Sequence, residues 1–330
     1  MAGRREWTRE TLAEGVRAGE KRALARAITL VENGEPLAYD LVRDLYGETG
    51  RTYAVGVTGP PGVGKSSLIS ALIRHVRGRG DTVGVISVDP SSPFSHGALL
   101  GDRIRLADHF LDADVFIRSM GTRGHLGGLA ETTLQALLVL DAAGKDVVFL
   151  ETVGTGQSEV EVIATADTVV LVLMPGSGDS VQALKAGIME IPDVIAINKS
   201  DHPAAKTMLA EVRAVLSLDR ESAWKPPIVL TEATRGEQVP ELWEQVEAHR
   251  AFLEAEGLLE ERRRRNLAQE VFAVASLRAK RHLERTVADD PELRRLLDAV
   301  QRRELDPLSA VREIVEKVFH IDGDGRADAA

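Results

Sequence analysis

Seven short apolar runs rich in valine and isoleucine pace the middle of this chain, at residues 53–57, 83–88, 115–117, 147–150, 169–174, 194–197 and 228–230. Helically spaced stretches separate most of them, including 66–76, 129–143, 204–216 and 239–253. Near-continuous apolar strands alternating with helices predict an α/β fold. The sheet should be mainly parallel, covered on both faces and joined by right-handed crossovers. Ahead of this region, Leu12, Val16, Ala23, Ala27, Ile28 and Val31 recur at three- and four-residue steps, Gly34 and Pro36 interrupt, and a short helix is expected around 39–45. Residues 1–50 therefore read as a helical arm capping the α/β domain of 51–256.

No strand signal remains in 257–330. A charged helix is expected over 258–285, with Leu267, Val271, Val274 and Ala275 on one face and Phe272 and Leu283 widening it. Pro291 and Pro307 open two further helices, the last carrying an apolar stripe of Leu308, Val311, Val315 and Val318. Such a helical extension is a lid or a dimer surface, and dimerisation is the expected role. The polar tail 321–330 is expected to be disordered. Its Asp322 and Asp324 lack the other ligands and the closing glutamate of a calcium loop.

Composition narrows the function. The 330 residues carry a formal charge of −10, with 41 Lys and Arg against 51 Asp and Glu. No global basic field exists to hold nucleic acid or an anionic membrane, so neither partner is expected. The arginine run 262–265 reads as a solvated helix face. The absence of cysteine removes disulfides, thiolate metal sites and thiol catalysis. The N-terminus lacks the apolar segment of a signal peptide, and no apolar run approaches a membrane span, so a soluble, cytoplasmic protein is expected.

The chemistry is concentrated in two motifs. Gly59-Pro-Pro-Gly-Val-Gly-Lys-Ser66 matches the phosphate loop G-x-x-x-x-G-K-[ST], between an apolar strand and a helix as the motif requires. Backbone N–H groups of such a loop turn inward around phosphates, and the helix N-terminus adds its positive dipole end. Lys65 should reach the β- and γ-phosphates, and the Ser66 hydroxyl should ligate Mg²⁺. The nucleotide-binding set here is Gly59, Gly62, Val63, Gly64, Lys65, Ser66 and Ser67. The second motif, Asn198-Lys-Ser-Asp201, follows the strand at 194–197. Asp201 can accept from the N1–H and N2–H₂ edge of guanine, a donor pair adenine lacks. Lys199 can lie along the base, Asn198 can tie loops together, and after the next strand Thr231 leads to Ala233, whose N–H can serve guanine O6.

Three acids are candidates for the metal: Asp89 at a strand end, Asp102 after a Gly/Ser/Pro-rich loop, and Glu151. Glu151-Thr-Val-Gly154 resembles the D-x-x-G motif of GTPases with Glu for Asp, and Gly154 can offer its N–H to the γ-phosphate. Thr155 occupies the place of the water-orienting glutamine of small GTPases and Gln157 follows, which leaves the water-positioning group open. Slow intrinsic turnover stimulated by a partner is expected. Gln182 and Lys185, in a loop over 175–185, can reach a nucleotide or a partner.

Four longer stretches carry a family resemblance: VDPSSPFSHGALLGDR (88–103), RGHLGGLA (123–130), ETVGTGQSE (151–159) and MPGSGDSVQALKAGIMEI (174–191). Together with the two motifs they resemble the methylmalonyl-CoA mutase-associated GTPases, the MeaB/ArgK family of P-loop G proteins. The resemblance implies a P-loop NTPase fold with helical extensions. It also implies hydrolysis of GTP to GDP by a G-protein chaperone that loads and protects an adenosylcobalamin-dependent acyl-CoA mutase, and a homodimer joined through its C-terminal helices. By matching position, Ser66, Asp89, Asp102 and Glu151 would surround Mg²⁺, and the loop with Gln182 and Lys185 would answer to the mutase. His96 stands where a small residue is expected. Nothing in the sequence points to cobalamin binding by this chain itself. The alternatives are a nickel-delivering GTPase, disfavoured by zero cysteine and eight scattered histidines, a kinase of the same fold, and a GTP-binding module without turnover.

Overall fold

The computed structural model describes residues 7–89, 106–121, 128–152, 165–176, 192–217 and 223–320. The chain divides into two compact units, Met1–Glu270 and Val271–Ala330.

In the first unit each expected apolar run is a strand: β1 (Tyr53–Thr58), β2 (Val83–Asp89), β3 (Val115–Gly121), β4 (Val147–Thr152), β5 (Thr168–Leu173), β6 (Val194–Asn198) and β7 (Ile228–Thr231). They form one parallel sheet in the order β3-β2-β4-β1-β5-β6-β7. The strands after β1 diverge, β2 to β4 to one side and β5 to β7 to the other. That divergence opens a crevice at the carboxyl ends beside β1, where ligands of open α/β sheets bind.

Strand pleating assigns alternate residues to opposite faces. Val148 and Leu150 of β4 join a core with Ile86 and Phe116. It is closed by α1 (Arg9–Arg17), α2 (Lys21–Glu32), α3 (Pro36–Leu45) and, after α4 (Lys65–Gly78), by α5 (Gly128–Ala142). The N-terminal helices contribute Leu12, Val16, Leu24, Ile28 and Leu41 to this core, so they complete one face of the sheet. Val147 and Phe149 point the other way, into a core with Leu68, Ile69 and Leu72 of α4. Across the chain, α6 (Ala205–Leu216) places Met208 and Val212 on Leu171, Leu173, Ile195 and Ile197. Trp243 of α7 (Val239–Ala255) meets Phe149 edge-on in the Leu68 core, ring centroids 6.1 Å apart.

The long helix α8 (Leu258–Asp289) corrects the reading of the arginine run. Arg264 and Arg265 are exposed, but Arg262 and Arg263 are not a solvated face. Arg263 holds Asp167 in a fork of two 2.8 Å bonds and donates to the carbonyls of Gly50 and Thr52. Arg262 holds Asp193 at 3.0 and 2.7 Å. Asp167 and Asp193 each lie at the amino end of a strand, β5 and β6, so the two forks pin the start of α8 to the edge of the sheet opposite the crevice. Asp167 also accepts from the Ala54 N–H at 2.9 Å and is 5% exposed. Arg263→Ala should therefore destabilise by about 3 kcal/mol, the scale for leaving a buried charge without its partner. Urea unfolding of the two proteins measures the difference, and a change below about 0.5 kcal/mol, the size of an ordinary surface substitution, would show that the fork is dispensable.

In the second unit, α9 (Pro291–Gln301) and α10 (Pro307–Phe319) open on Asp290 and Asp306, whose carboxylates cap the first N–H groups. Val287, Leu293 and Ile314 form its small core, with Leu283, Leu296 and Val318 packed around them. The buried face of α10 thus runs through Ala310, Ile314 and Val318, so the end of the expected stripe packs inward and its start does not. Leu308 is 81% and Val311 57% exposed. On α8, Val271 and Phe272 are likewise exposed, at 58% and 72%. Segment 321–330, with Asp322 and Asp324, lies outside the described residues.

Candidate functional site

The phosphate loop bridges β1 and α4. Its backbone follows a path that only glycine can take at two points. Gly59 has φ 143°, and a Cβ there would stand 2.1 Å from the Val172 carbonyl oxygen of β5. Gly64 caps α4 with φ 98°, and a Cβ there would meet Asn198 Nδ2 at 2.4 Å. The glycines thus let the loop lie directly against β5 and the Asn198 side chain. Gly62 and Val63 lie between them, and the Val63 side chain is buried. Lys65, 6% exposed, folds back so that its ammonium donates to the carbonyls of Gly59 at 2.6 Å and Pro60 at 3.1 Å. Those bonds hold the charge over the loop. Ser67 follows half-buried on the first turn of α4.

Glu151 lies in register between Val57 of β1 and Ser87 of β2. The strand order makes it a neighbour of the phosphate loop despite its distance in sequence. It is 1% exposed. One carboxylate oxygen accepts from Ser66 Oγ at 2.6 Å and the other from Ser87 Oγ at 2.8 Å. Ser87 was not singled out in the sequence. The available signal was its place two residues before Asp89, on the same face of one strand. Asp89 closes β2 at the same sheet edge, and its side chain lies outside the described residues, as do Asp102, Gly154, Gln157, Gln182 and Lys185. His96 and most of the 175–185 loop also lie outside them. Among the described residues no group of three or more His, Cys, Asp or Glu side chains could hold a metal.

The second motif closes the crevice on the β5–β7 side. Asn198, 2% exposed, is a three-way tie. Its Nδ2 donates to the Val63 carbonyl at 2.8 Å, and its Oδ1 accepts from the Ala233 N–H at 3.1 Å and from Thr231 Oγ1 at 3.4 Å. The Ala233 N–H, expected to face guanine O6, is committed to Asn198 in this arrangement. Lys199 adopts a left-handed conformation, φ 58°, and its ammonium donates to the Gly62 carbonyl at 3.0 Å across the loop. Its next neighbour is Met174 Sδ at 3.2 Å. Asp201 stands exposed at the rim. A hydrogen bond to Glu232, with help from the nearby Arg235 and His202, holds its carboxyl below the usual carboxylate range.

A cavity of about 350 Å³ lies at the amino end of β1, lined by Tyr46, Leu134, Leu137, Arg263 and Leu267. It is at the opposite end of the sheet from the phosphate loop. Two of its acids are occupied, Asp141 by the N–H groups of Gly50, Arg51 and Thr52 and Asp167 by Arg263.

A glycine loop wrapped on Lys65 at a helix N-terminus, with an acid on the strand beside β1, defines a P-loop NTPase. Residues 24–288 match the family described as methylmalonyl Co-A mutase-associated GTPase MeaB, and the chain belongs to that family. It is accordingly a GTPase. A Pyrococcus abyssi protein named as a GTPase is 47% identical over 314 residues, 94% of this chain and 97% of its own length. The Escherichia coli protein named GTPase ArgK is 34% identical over 318 residues, covering 93% and 96%. The solved structure of a protein named LAO/AO transport system kinase has a TM-score of 0.73 at 30% identity and covers 96% of this chain and 100% of that one. No helix among the described residues is long and apolar enough to cross a membrane.

Proposed function

We propose that this GTPase hydrolyses GTP to GDP and phosphate as a cytoplasmic G-protein chaperone of an adenosylcobalamin-dependent acyl-CoA mutase, the methylmalonyl-CoA enzyme being the one the family description names. The observation that carries the guanine reading is the Asn198 tie. One buried side chain binds the phosphate loop at Val63 and the loop after β7 at Ala233. The base-reading segment and the phosphate-binding segment are thereby held as one rigid piece.

Each residue then has a part. The N–H groups of 62–66 surround the β- and γ-phosphates, and Lys65 turns from the Gly59 and Pro60 carbonyls to the transferring phosphoryl oxygens. Asp201 accepts from guanine N1–H and N2–H₂, Lys199 flanks the base, and Thr231 supports Asn198 from below. Ser66 and Glu151 fit Mg²⁺: a buried carboxylate and a hydroxyl 2.6 Å apart are hard oxygen donors of the kind that ion takes. Asp89 and Asp102 complete the set by their place in the motifs. When bound, the ion neutralises charge on the β- and γ-phosphate oxygens. Ser87, bonded to Glu151, orients the carboxylate. Gly154 keeps its assigned contact with the γ-phosphate and Gln182 and Lys185 the response to the partner, while Gln157 is a candidate for positioning the water, a role the sequence leaves open.

The exposed Val271, Phe272, Leu308 and Val311 of the C-terminal unit support a homodimer formed through that unit. The chaperone role predicts that a cobalamin-dependent acyl-CoA mutase from the same source raises GTP turnover several-fold. Steady-state phosphate release with and without the mutase measures this. An unchanged rate across a titration to saturating mutase would sink the partner assignment while leaving the GTPase intact.

A further inference from the structure

One contact in the crevice belongs to neither motif. Met174 follows directly on β5 and is half-buried against the Leu68 core. Its sulfur accepts from the Lys199 ammonium at 3.2 Å, and the same ammonium donates to the Gly62 carbonyl at 3.0 Å. Lys199 itself is exposed. Its backbone is fixed in the left-handed conformation, and the turn it opens is closed by the His202 N–H on the Lys199 carbonyl at 3.0 Å. The His202 ring is held in turn by the Ala204 N–H, 3.1 Å from Nδ1. This turn meets the end of β5 at a second point. Gly176 has φ 76°, and a Cβ there would lie 3.4 Å from His202 Cε1. Between the two contacts Pro175 is buried, and its ring fixes the backbone that carries Met174 into the crevice.

We propose that Met174 is a positioning residue for guanine binding: its thioether holds the Lys199 ammonium so that the lysine stem lies stretched where the base is flanked. The proposal rests on the reading of Lys199 as the residue that flanks the base. A free lysine at this exposed position would spread over many rotamers, and nucleotide binding would have to freeze them. An ammonium has three N–H donors, and Gly62 and Met174 each take one. The Gly62 carbonyl alone would let the stem swing about a single tether. A second acceptor, carried by a different strand, sets its direction before the nucleotide arrives. A thioether is a weak acceptor, so its contribution is modest, and it depends on the lysine being there to donate. A leucine of similar volume fills the same space and cannot accept. A glutamine has nearly the same length and ends in a carbonyl oxygen that can.

The test measures Kd for GDP by calorimetry on the full-length protein, in wild type, Met174→Leu, Met174→Gln, Lys199→Ala and the double variant of Met174→Leu with Lys199→Ala. Met174→Leu should weaken GDP about three- to fivefold, the lower range for one hydrogen bond. The swap conserves volume, so thermal melting should be close to wild type. Met174→Gln should bind GDP within about twofold of wild type or more tightly, because its carbonyl accepts from the ammonium. Lys199→Ala should weaken GDP about tenfold, and adding Met174→Leu to it should cost less than about 1.5-fold more, since the contact is already gone. Wild-type affinity in Met174→Leu overturns the proposal. So do equal losses in the leucine and glutamine variants. If Met174→Leu melts lower and binds weakly, the double variant decides: a loss that persists without Lys199 comes from the fold and overturns the proposal. An unchanged affinity in Lys199→Ala removes the reading of Lys199, and this proposal with it.

Discussion

Lys65→Ala should lower kcat for GTP hydrolysis by about three orders of magnitude, the cost of removing a preorganised group that meets charge developing in the transition state. The lysine is suited to that role by where it waits. Its ammonium is buried and held at 2.6 Å from the Gly59 carbonyl and 3.1 Å from that of Pro60, over the centre of the phosphate loop. In the proposed reaction the side chain turns from those carbonyls to a phosphoryl oxygen. The loop itself is shaped by Gly59 and Gly64 against Val172 and Asn198, so it should keep its path without the lysine. Single-turnover hydrolysis separates the chemical step from binding, and thermal melting checks the fold. A folded variant with near-normal turnover would remove the phosphate-loop assignment.

Asp201→Asn should redirect the protein from guanosine to xanthosine nucleotides. The carboxylate offers two acceptors to the N1–H and N2–H₂ of guanine. An asparagine offers one acceptor and one donor, which matches the N1–H and the 2-oxo group of xanthine. Each hydrogen bond to a charged group is worth about 1.5–3 kcal/mol, so losing the match should weaken GDP by roughly 10²- to 10⁴-fold. XDP binding should rise. The tie that holds the crevice together belongs to Asn198, so the substitution leaves the architecture of the site in place. Competition between GDP and XDP for the variant measures the change, and an unaltered preference would sink the guanine reading.

The strands were legible because both faces of the sheet are covered, which makes each one a nearly pure run of valine, isoleucine and leucine. Their order was not legible, since such runs carry no mark of their neighbours. That order is what sets Glu151 beside Ser66 and Ser87. The phosphate loop and Asn198-Lys-Ser-Asp201 were legible because their spacing is dictated by backbone geometry around a ligand. Ser87 was missed because its one signal, a place two residues before Asp89 on the same strand face, gains meaning only once the strand order sets Glu151 beside it. The arginine run at 262–265 looked uniform, and only the positions of Asp167 and Asp193 distinguish the two that are held from the two that are not. On α10, Leu308 and Val311 outweighed Ala310 by hydrophobicity. Yet the small Ala310, one turn from Ile314, is the one that is buried.

The most direct test of the central claim compares kcat/KM for GTP and ATP with the purified protein and Mg²⁺ under matched conditions. A site built on Asp201 and tied by Asn198 predicts a preference for GTP of at least about 10²-fold, because adenine would leave the carboxylate unpaired. Equal or better use of ATP would contradict the guanine assignment and return the kinase reading to the front.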